Sequence, residues 1–171
     1  WVVTFWKSIG SPKKFNLLEL GAGNGEMMKI IWATLKNFPE CFNSCSFLIH
    51  EKSDFLINKQ KGNLKSEKIS WIKDIKQVNS HPTIFLANEF FDALPIKQFF
   101  KKKEDWIERF VDLKEENKAE FKEQLTDIKK IEQQLNFEIS KNQDIIEYSP
   151  LSFKYLKDII YNNIKYKNNF L

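Results

Sequence analysis

Residues 15–25, FNLLELGAGNG, pass from an apolar run through one acid into three glycines at alternate positions. Leu17, Leu18 and Leu20 form a short continuous hydrophobic strand of the kind buried on both faces of a parallel sheet. Gly21, Gly23 and Gly25 let the backbone turn through positive φ and let a ligand approach the main chain with no Cβ in the way. Residues 26–36 follow with Met27, Met28, Ile31 and Leu35 at helical spacing, while Glu26, Lys29 and Lys36 lie off that stripe. The reading is strand, glycine turn, helix, the opening of an α/β fold.

Two ligands sit on such turns, and spacing separates them. The dinucleotide fingerprint G-x-G-x-x-G places a pyrophosphate over its last glycine. Here the third glycine comes one residue earlier, and Glu19 stands just before the turn. A carboxylate is ill-placed beside a pyrophosphate but compatible with an ammonium. S-adenosylmethionine has no phosphate and ends in an amino acid, so E-x-G-x-G-x-G suits it better. The bland alternative is a glycine-rich turn with no ligand.

Working outward, a chain of 171 residues, 42% hydrophobic and 15% aromatic, has material for one core, so residues 1–171 are read as a single domain. The opening on Trp1 without a methionine, and the ending on Asn168, Asn169, Phe170 and Leu171, predict a piece of a longer protein. Net charge is +4, carried by lysine with Arg109 as the one arginine. Base-edge recognition leans on arginine and no dense basic stripe is present, so nucleic acid is not proposed as a partner. No apolar stretch approaches the roughly 20 residues of a membrane-spanning helix. Cys41, Cys45, His50 and His81 lack the paired spacing of a zinc site, so no metal is assigned and two reduced thiols are the reading.

Trp1 to Ile9 reads as a helix stopped by Gly10, Ser11 and Pro12. Asn37, Pro39 and Asn43 mark a loop, and Ser46 to His50 a second strand ending on Glu51. An acid at that tip, roughly 26 residues past the glycine turn, is placed to accept from ribose hydroxyls. A solvated strand end is the alternative. Phe55 to Gln60 reads as a short helix broken at Gly62, and Ile69 to Ile72 as a third strand. Asp74 beyond it is a candidate acceptor for an adenine amino group, or a turn-forming aspartate. Ile84 to Leu86 is a fourth strand, and Asn88, Glu89 and Asp92 cluster just past its end, where a methyl acceptor would sit beside a sulfonium. Asn88 and Asp92 capping a following helix is the competing account.

The runs NEFFDALP, FWKSIGSPKKFNLLELGAGNG, DWIERFVDL and IIEYSP, in this order along about Phe5 to Leu171 once the glycine block is put first, resemble the MidA family, class I methyltransferase-like proteins. The family's glycine motif is usually ELGPGRG, so Ala22 and Asn24 replace a proline and an arginine. The resemblance implies a Rossmann-like, mostly parallel sheet with flanking helices and an inserted β-hairpin, its last three strands missing from this chain. It implies S-adenosyl-L-methionine as cofactor, held at Glu19, Gly21, Gly23 and Gly25, with Glu51 and Asp74 added from their strand-tip positions, and a protein substrate. For the family's mitochondrial member that substrate is an arginine in a respiratory complex I subunit. Glu89 and Asp92 would orient and polarise such a guanidinium, with Asn88 as hydrogen-bonding partner. The implied compartment is a bacterial cytoplasm or, alternatively, a mitochondrial matrix.

The remaining runs Ile96 to Phe100 and Trp106 to Leu113 predict a hairpin with a charged tip. Lys114 to Gln134 is read as an amphipathic helix or ordered connector, from Phe121, Leu125, Ile128 and Leu135 at helical spacings. Leu151 to Ile164 reads as a closing helix. Two competing functions stay open: a non-catalytic assembly factor retaining the fold, and, more weakly, an NAD-dependent oxidoreductase, against which the short glycine spacing argues.

Overall fold

The computed structural model of the protein describes residues 1–66, 68–114 and 118–168. The chain divides into two compact units, one of Trp1–Ala93 with the chain from Lys154 onward, the other Leu94–Phe153.

The first unit is an α/β sheet. Helix α1 (Val2–Ser8) precedes β1 (Phe15–Leu20), α2 (Glu26–Leu35), α3 (Pro39–Ser44), β2 (Cys45–His50), α4 (Asp54–Leu64), β3 (Ile69–Ile72), a 3-10 turn (Ile75–Gln77) and β4 (Thr83–Leu86). The strands pair in parallel in the order β3-β2-β1-β4, with Leu17 opposite Phe47 on one side and Ile84 on the other. Every residue of β1 is buried, as a central parallel strand covered on both faces requires. Phe15, Leu17, Phe47, Ile49 and Met28 form the middle of the core, and Trp6 of α1 joins it with its indole donating to the Pro12 carbonyl at 3.1 Å. The one polar side chain of β1 besides Glu19 is Asn16, which donates to Asn79 Oδ1 at 2.8 Å and Thr83 Oγ1 at 3.1 Å.

Two sequence expectations give way here. The segment read as a loop at Asn37 to Asn43 contains α3, because Pro39 sits in the first helical turn where its missing N–H is no loss, and Cys41 and Phe42 turn into the core. Helix α4 does not break at Gly62 but continues to Leu64 and ends on Lys65 in the left-handed region. A glycine inside a helix costs about 1 kcal/mol, which the burial of Leu64 and the bond from Asn63 Nδ2 to the Asn24 carbonyl at 3.0 Å offset.

The second unit is an antiparallel sheet. Strands β5 (Lys97–Lys102), β6 (Asp105–Leu113), β7 (Ala119–Thr126) and β8 (Ile145–Tyr148) pair in the order β7-β6-β5-β8, with α5 (Ile128–Leu135) packing Ile131 onto Phe99 and Trp106. The predicted hairpin is β5 and β6, its tip tightened to Lys103 and Glu104. Lys114 to Gln134 is not one helix: Ala119–Thr126 is β7, and only Ile128–Leu135 is helical. Period two wins over period three-to-four because Phe121 and Leu125 stand opposite Val111 and Ile107, and the charges between pair across strands. Arg109 and Lys102 both reach Glu123, at 3.1 and 2.7 Å, and Lys122 pairs with Asp112. Helix α6 (Pro150–Asn168) closes the described chain, and residues 169–171 of the predicted ending lie outside it. No described helix is long and apolar enough to cross a membrane.

Candidate functional site

Four parallel strands put their carboxyl ends on one edge of the sheet, and there the singled-out residues gather. Glu19 is the last residue but one of β1, the glycine turn follows it, Glu51 follows β2, Asp74 follows β3, and Asn88, Glu89 and Asp92 follow β4.

The turn is built as its glycines demand. Gly21, Gly23 and Gly25 have φ of 64°, 54° and 84°, the left-handed region that a side chain disfavours. Gly21 N–H donates to the His50 carbonyl at 3.1 Å and Gly25 N–H to the Ala22 carbonyl at 2.7 Å, and Gly25 then caps α2. The space around the three differs. A Cβ on Gly23 would meet nothing within 4 Å among the described residues, so this glycine faces open space. On Gly21 it would stand 2.7 Å from Cδ2 of Phe90, and on Gly25 it would touch Leu64 and Gln60 of α4.

Glu19 is 3% exposed, and its Oε2 has no hydrogen-bond partner among the described residues. Desolvation pushes its carboxyl up to about 7, opposed by a bond from the Met28 backbone in the first turn of α2. A buried carboxyl with an oxygen lacking a described partner has the chemistry to accept a cation or a hydrogen-bond donor.

Glu51 is held through both carboxylate oxygens. Its Oε1 accepts from the N–H groups of Lys52 at 2.9 Å and Ser53 at 3.0 Å, and its Oε2 from Gln60 Nε2 at 3.3 Å. Gln60 Nε2 also donates to the Gly23 carbonyl at 2.9 Å, so Glu51 and the glycine turn share one network. Asp74 stays outside it. Its carboxylate accepts from Lys76 N–H at 2.9 Å and caps the 3-10 turn, with Gln77 reaching back to the Asp74 N–H at 3.0 Å.

The segment after β4 is an exposed loop, so Asn88 and Asp92 cap no helix; the next element is β5. Glu89 holds φ at 49°, and the hydrogen bond and like charge of Asp92 beside it keep its carboxyl above the usual range. Phe90 ties the loop to the glycine turn, lying against Gly21 and edge-on to His50 and Tyr155 at centroid distances of 6.3 and 4.9 Å. His50 is 3% exposed, and burial, helped by the Lys52 charge, keeps its imidazole below the ordinary range.

Sequence reasoning missed Gln60, Phe90 and Tyr155. One signal for Gln60 was available: it takes the place of an apolar residue on the buried stripe Ile57, Gln60, Leu64 of α4.

Residues 1–164 match the family described as S-adenosyl-L-methionine-dependent methyltransferase. The mitochondrial protein arginine methyltransferase NDUFAF7 of Xenopus tropicalis is 31% identical, the match covering 66% of this chain and 32% of that one. Its human counterpart of the same name is 29% identical, covering 66% and 31%. A COG1565 superfamily member from Burkholderia thailandensis, crystallised with S-adenosyl-homocysteine, superposes with a TM-score of 0.69 at 16% identity, over 92% of this chain and 41% of its own, a likeness of fold. The chain thus spans about a third of the length of the curated relatives it matches.

Proposed function

Since the chain belongs to the S-adenosyl-L-methionine-dependent methyltransferase family, the MidA family of the sequence resemblance, we propose that it carries the cofactor half of a protein arginine N-methyltransferase, with residues 1–171 working as one domain. The observation that carries this is the buried Glu19 carboxyl, its Oε2 without a partner among the described residues, at the end of the strand that leads into the glycine turn, where Gly23 faces open space. The donor set fits the cofactor: an acid for its ammonium at Glu19, side-chain-free backbone at Gly21, Gly23 and Gly25, and an oriented acceptor for its ribose at Glu51. Asp74 is left for the adenine edge with the oxygen its cap does not use.

When bound, the cofactor supplies an electrophilic methyl on a sulfonium. The chain's part is then positioning and exclusion of water. Glu89 and Asp92 would hold an acceptor guanidinium by charge-assisted hydrogen bonds, with Asn88 fixing its rim. Glu89 would accept the proton that the methylated guanidinium nitrogen gives up. Phe90 and Tyr155 give the loop an apolar backing that keeps water from that side.

The names of the relatives support a protein arginine as acceptor and a mitochondrial compartment in preference to a bacterial cytoplasm; a respiratory complex I subunit as acceptor, and the matrix as its place, are what the sequence resemblance adds to this reading. One observation favours the non-catalytic reading, an assembly factor that keeps the fold: the Phe90 ring already lies against Gly21. Titration calorimetry with S-adenosyl-homocysteine separates the two. Binding, followed by transfer of a labelled methyl from S-adenosylmethionine to an arginine of a protein acceptor, supports the enzyme. A folded protein that takes up no S-adenosyl-homocysteine overturns it.

A further inference from the structure

Gln60 is fully buried in the middle of the edge where the site gathers, and each polar atom of its side chain is used. Nε2 donates one hydrogen to the Gly23 carbonyl at 2.9 Å and the other toward Glu51 Oε2 at 3.3 Å. Oε1 accepts from the Trp71 indole at 2.8 Å. Its Cγ packs where a Cβ on Gly25 would stand 3.5 Å away. With two acceptors on one end and a donor on the other, only one orientation of the amide satisfies the set. A glutamate there would press a second carboxylate on Glu51 and on a carbonyl. An apolar residue would orphan the indole N–H and free both the turn and the acid.

The consequence for Glu51 is geometric. Oε1 already takes two backbone hydrogens from the residues just ahead of α4, which fixes one oxygen, and Gln60 fixes the plane of the carboxylate through the other. Oε2 keeps a lone pair for a further donor. Resting on the cofactor reading above, we infer that Gln60 is a positioning residue of the site: it locks the ribose acid Glu51 to the methionine-side carbonyl of Gly23, so that both ends of an adenosyl ligand are read from one rigid frame. Helix α4 brings this about because Gln60, Asn63 and Leu64 lie on the side of the helix turned to the glycine loop. Trp71, on β3, sets the far end of the frame.

The test is calorimetric titration of the protein with S-adenosyl-homocysteine and with its 2′-deoxy analogue. Wild type is expected to prefer the ribose form about tenfold, the range of one charge-assisted hydrogen bond. Gln60→Leu is expected to bind S-adenosyl-homocysteine about tenfold more weakly and to lose most of the ribose preference, since Glu51 is no longer held in plane. Trp71→Phe removes the donor to Gln60 Oε1 but leaves both donors of Gln60, and is expected to reduce the preference less than Gln60→Leu does. Gln60→Asn, which withdraws the amide by one methylene but preserves its polarity, gives the same loss should the leucine variant not fold. A folded Gln60 variant with wild-type affinity and wild-type ribose preference overturns the assignment and leaves Gln60 a packing residue. Wild type that binds neither probe overturns the cofactor reading itself, a failure visible without any variant. Wild type that binds both probes equally removes Glu51 from the ribose, and Gln60's role with it.

Discussion

Glu19 makes the site's most quantitative demand. Its carboxyl is displaced from its ordinary 4.5 to about 7 by burial. The folded protein therefore keeps a proton on Glu19 at pH values where the unfolded chain has released it. Between about pH 4.5 and pH 7 the native state binds more protons than the unfolded one, so stability falls as pH rises through that window. The stabilising share of this group is complete below about 4.5 and gone above about 7. At ~1.4 kcal/mol per pH unit the displacement sets a ceiling of about 3 kcal/mol, which partial screening of the carboxyl brings to a working figure of about 2 kcal/mol.

Glu19→Gln removes the titration and keeps the shape. Its Oε1 can accept from the Met28 backbone as the acid does, while its Nε2 takes the place of an oxygen that already lacks a partner. Any cost of that buried amide is the same at every pH. Urea denaturation of both proteins from about pH 4.5 to pH 8 is expected to show the variant gaining about 2 kcal/mol on wild type across the range, flattening above pH 7. A difference that does not change with pH would refute the reasoning, because a carboxyl titrating in its ordinary range contributes no such slope. A second arm reads the same group: an ammonium docking on Glu19 lowers its proton affinity, so S-adenosyl-homocysteine binding near pH 7 should release protons in wild type and none from this position in Glu19→Gln. Calorimetry in two buffers of different ionisation enthalpy measures this.

The glycines separate by their surroundings. Gly23→Ala, at φ 54° in open space, is expected to cost about 1 kcal/mol of stability. Gly21→Ala, which must also push Phe90 aside, is expected to cost about 2–3 kcal/mol; equal urea midpoints for the two would contradict the Phe90 contact. Phe47→Ala empties a fully buried site beside Phe42 and is expected to cost about 3–5 kcal/mol by chemical denaturation, a loss under 1 kcal/mol arguing against that core. Asp92→Asn removes the like charge beside Glu89 and should lower the Glu89 titration toward the ordinary carboxylate range, read by carboxyl carbon NMR; an unmoved titration would show the two do not face each other. Glu89→Gln should abolish most methyl transfer while leaving S-adenosyl-homocysteine affinity unchanged, and equal loss of both would count against its assignment to the acceptor.

Local chemistry written into the chain decided the parallel half of this protein. FNLLELG admits only a buried strand, three glycines in five residues admit only a turn through positive φ, and both are independent of what lies elsewhere in the chain. Acids at the end of β1, directly after β2 and in the loop that follows β4 share one edge by the same logic, because a parallel sheet brings all strand tips to one side. Where the pattern was short and charged, sequence periodicity could not choose. Phe121 and Leu125 fit a helix and a strand equally well, and the decision lay with β6, whose Arg109 and Asp112 offer partners to Glu123 and Lys122 across the sheet. Gly62 likewise looked like an end until Leu64 and Asn63 found their places against the glycine loop. Gln60 is the extreme of this dependence. Its three partners come from the glycine turn, from the tip of β2 and from β3, up to 37 residues away in sequence. Only folding the sheet brings them to one side chain, since hydrogen bonds between distant segments leave no period in the sequence for a reader to find.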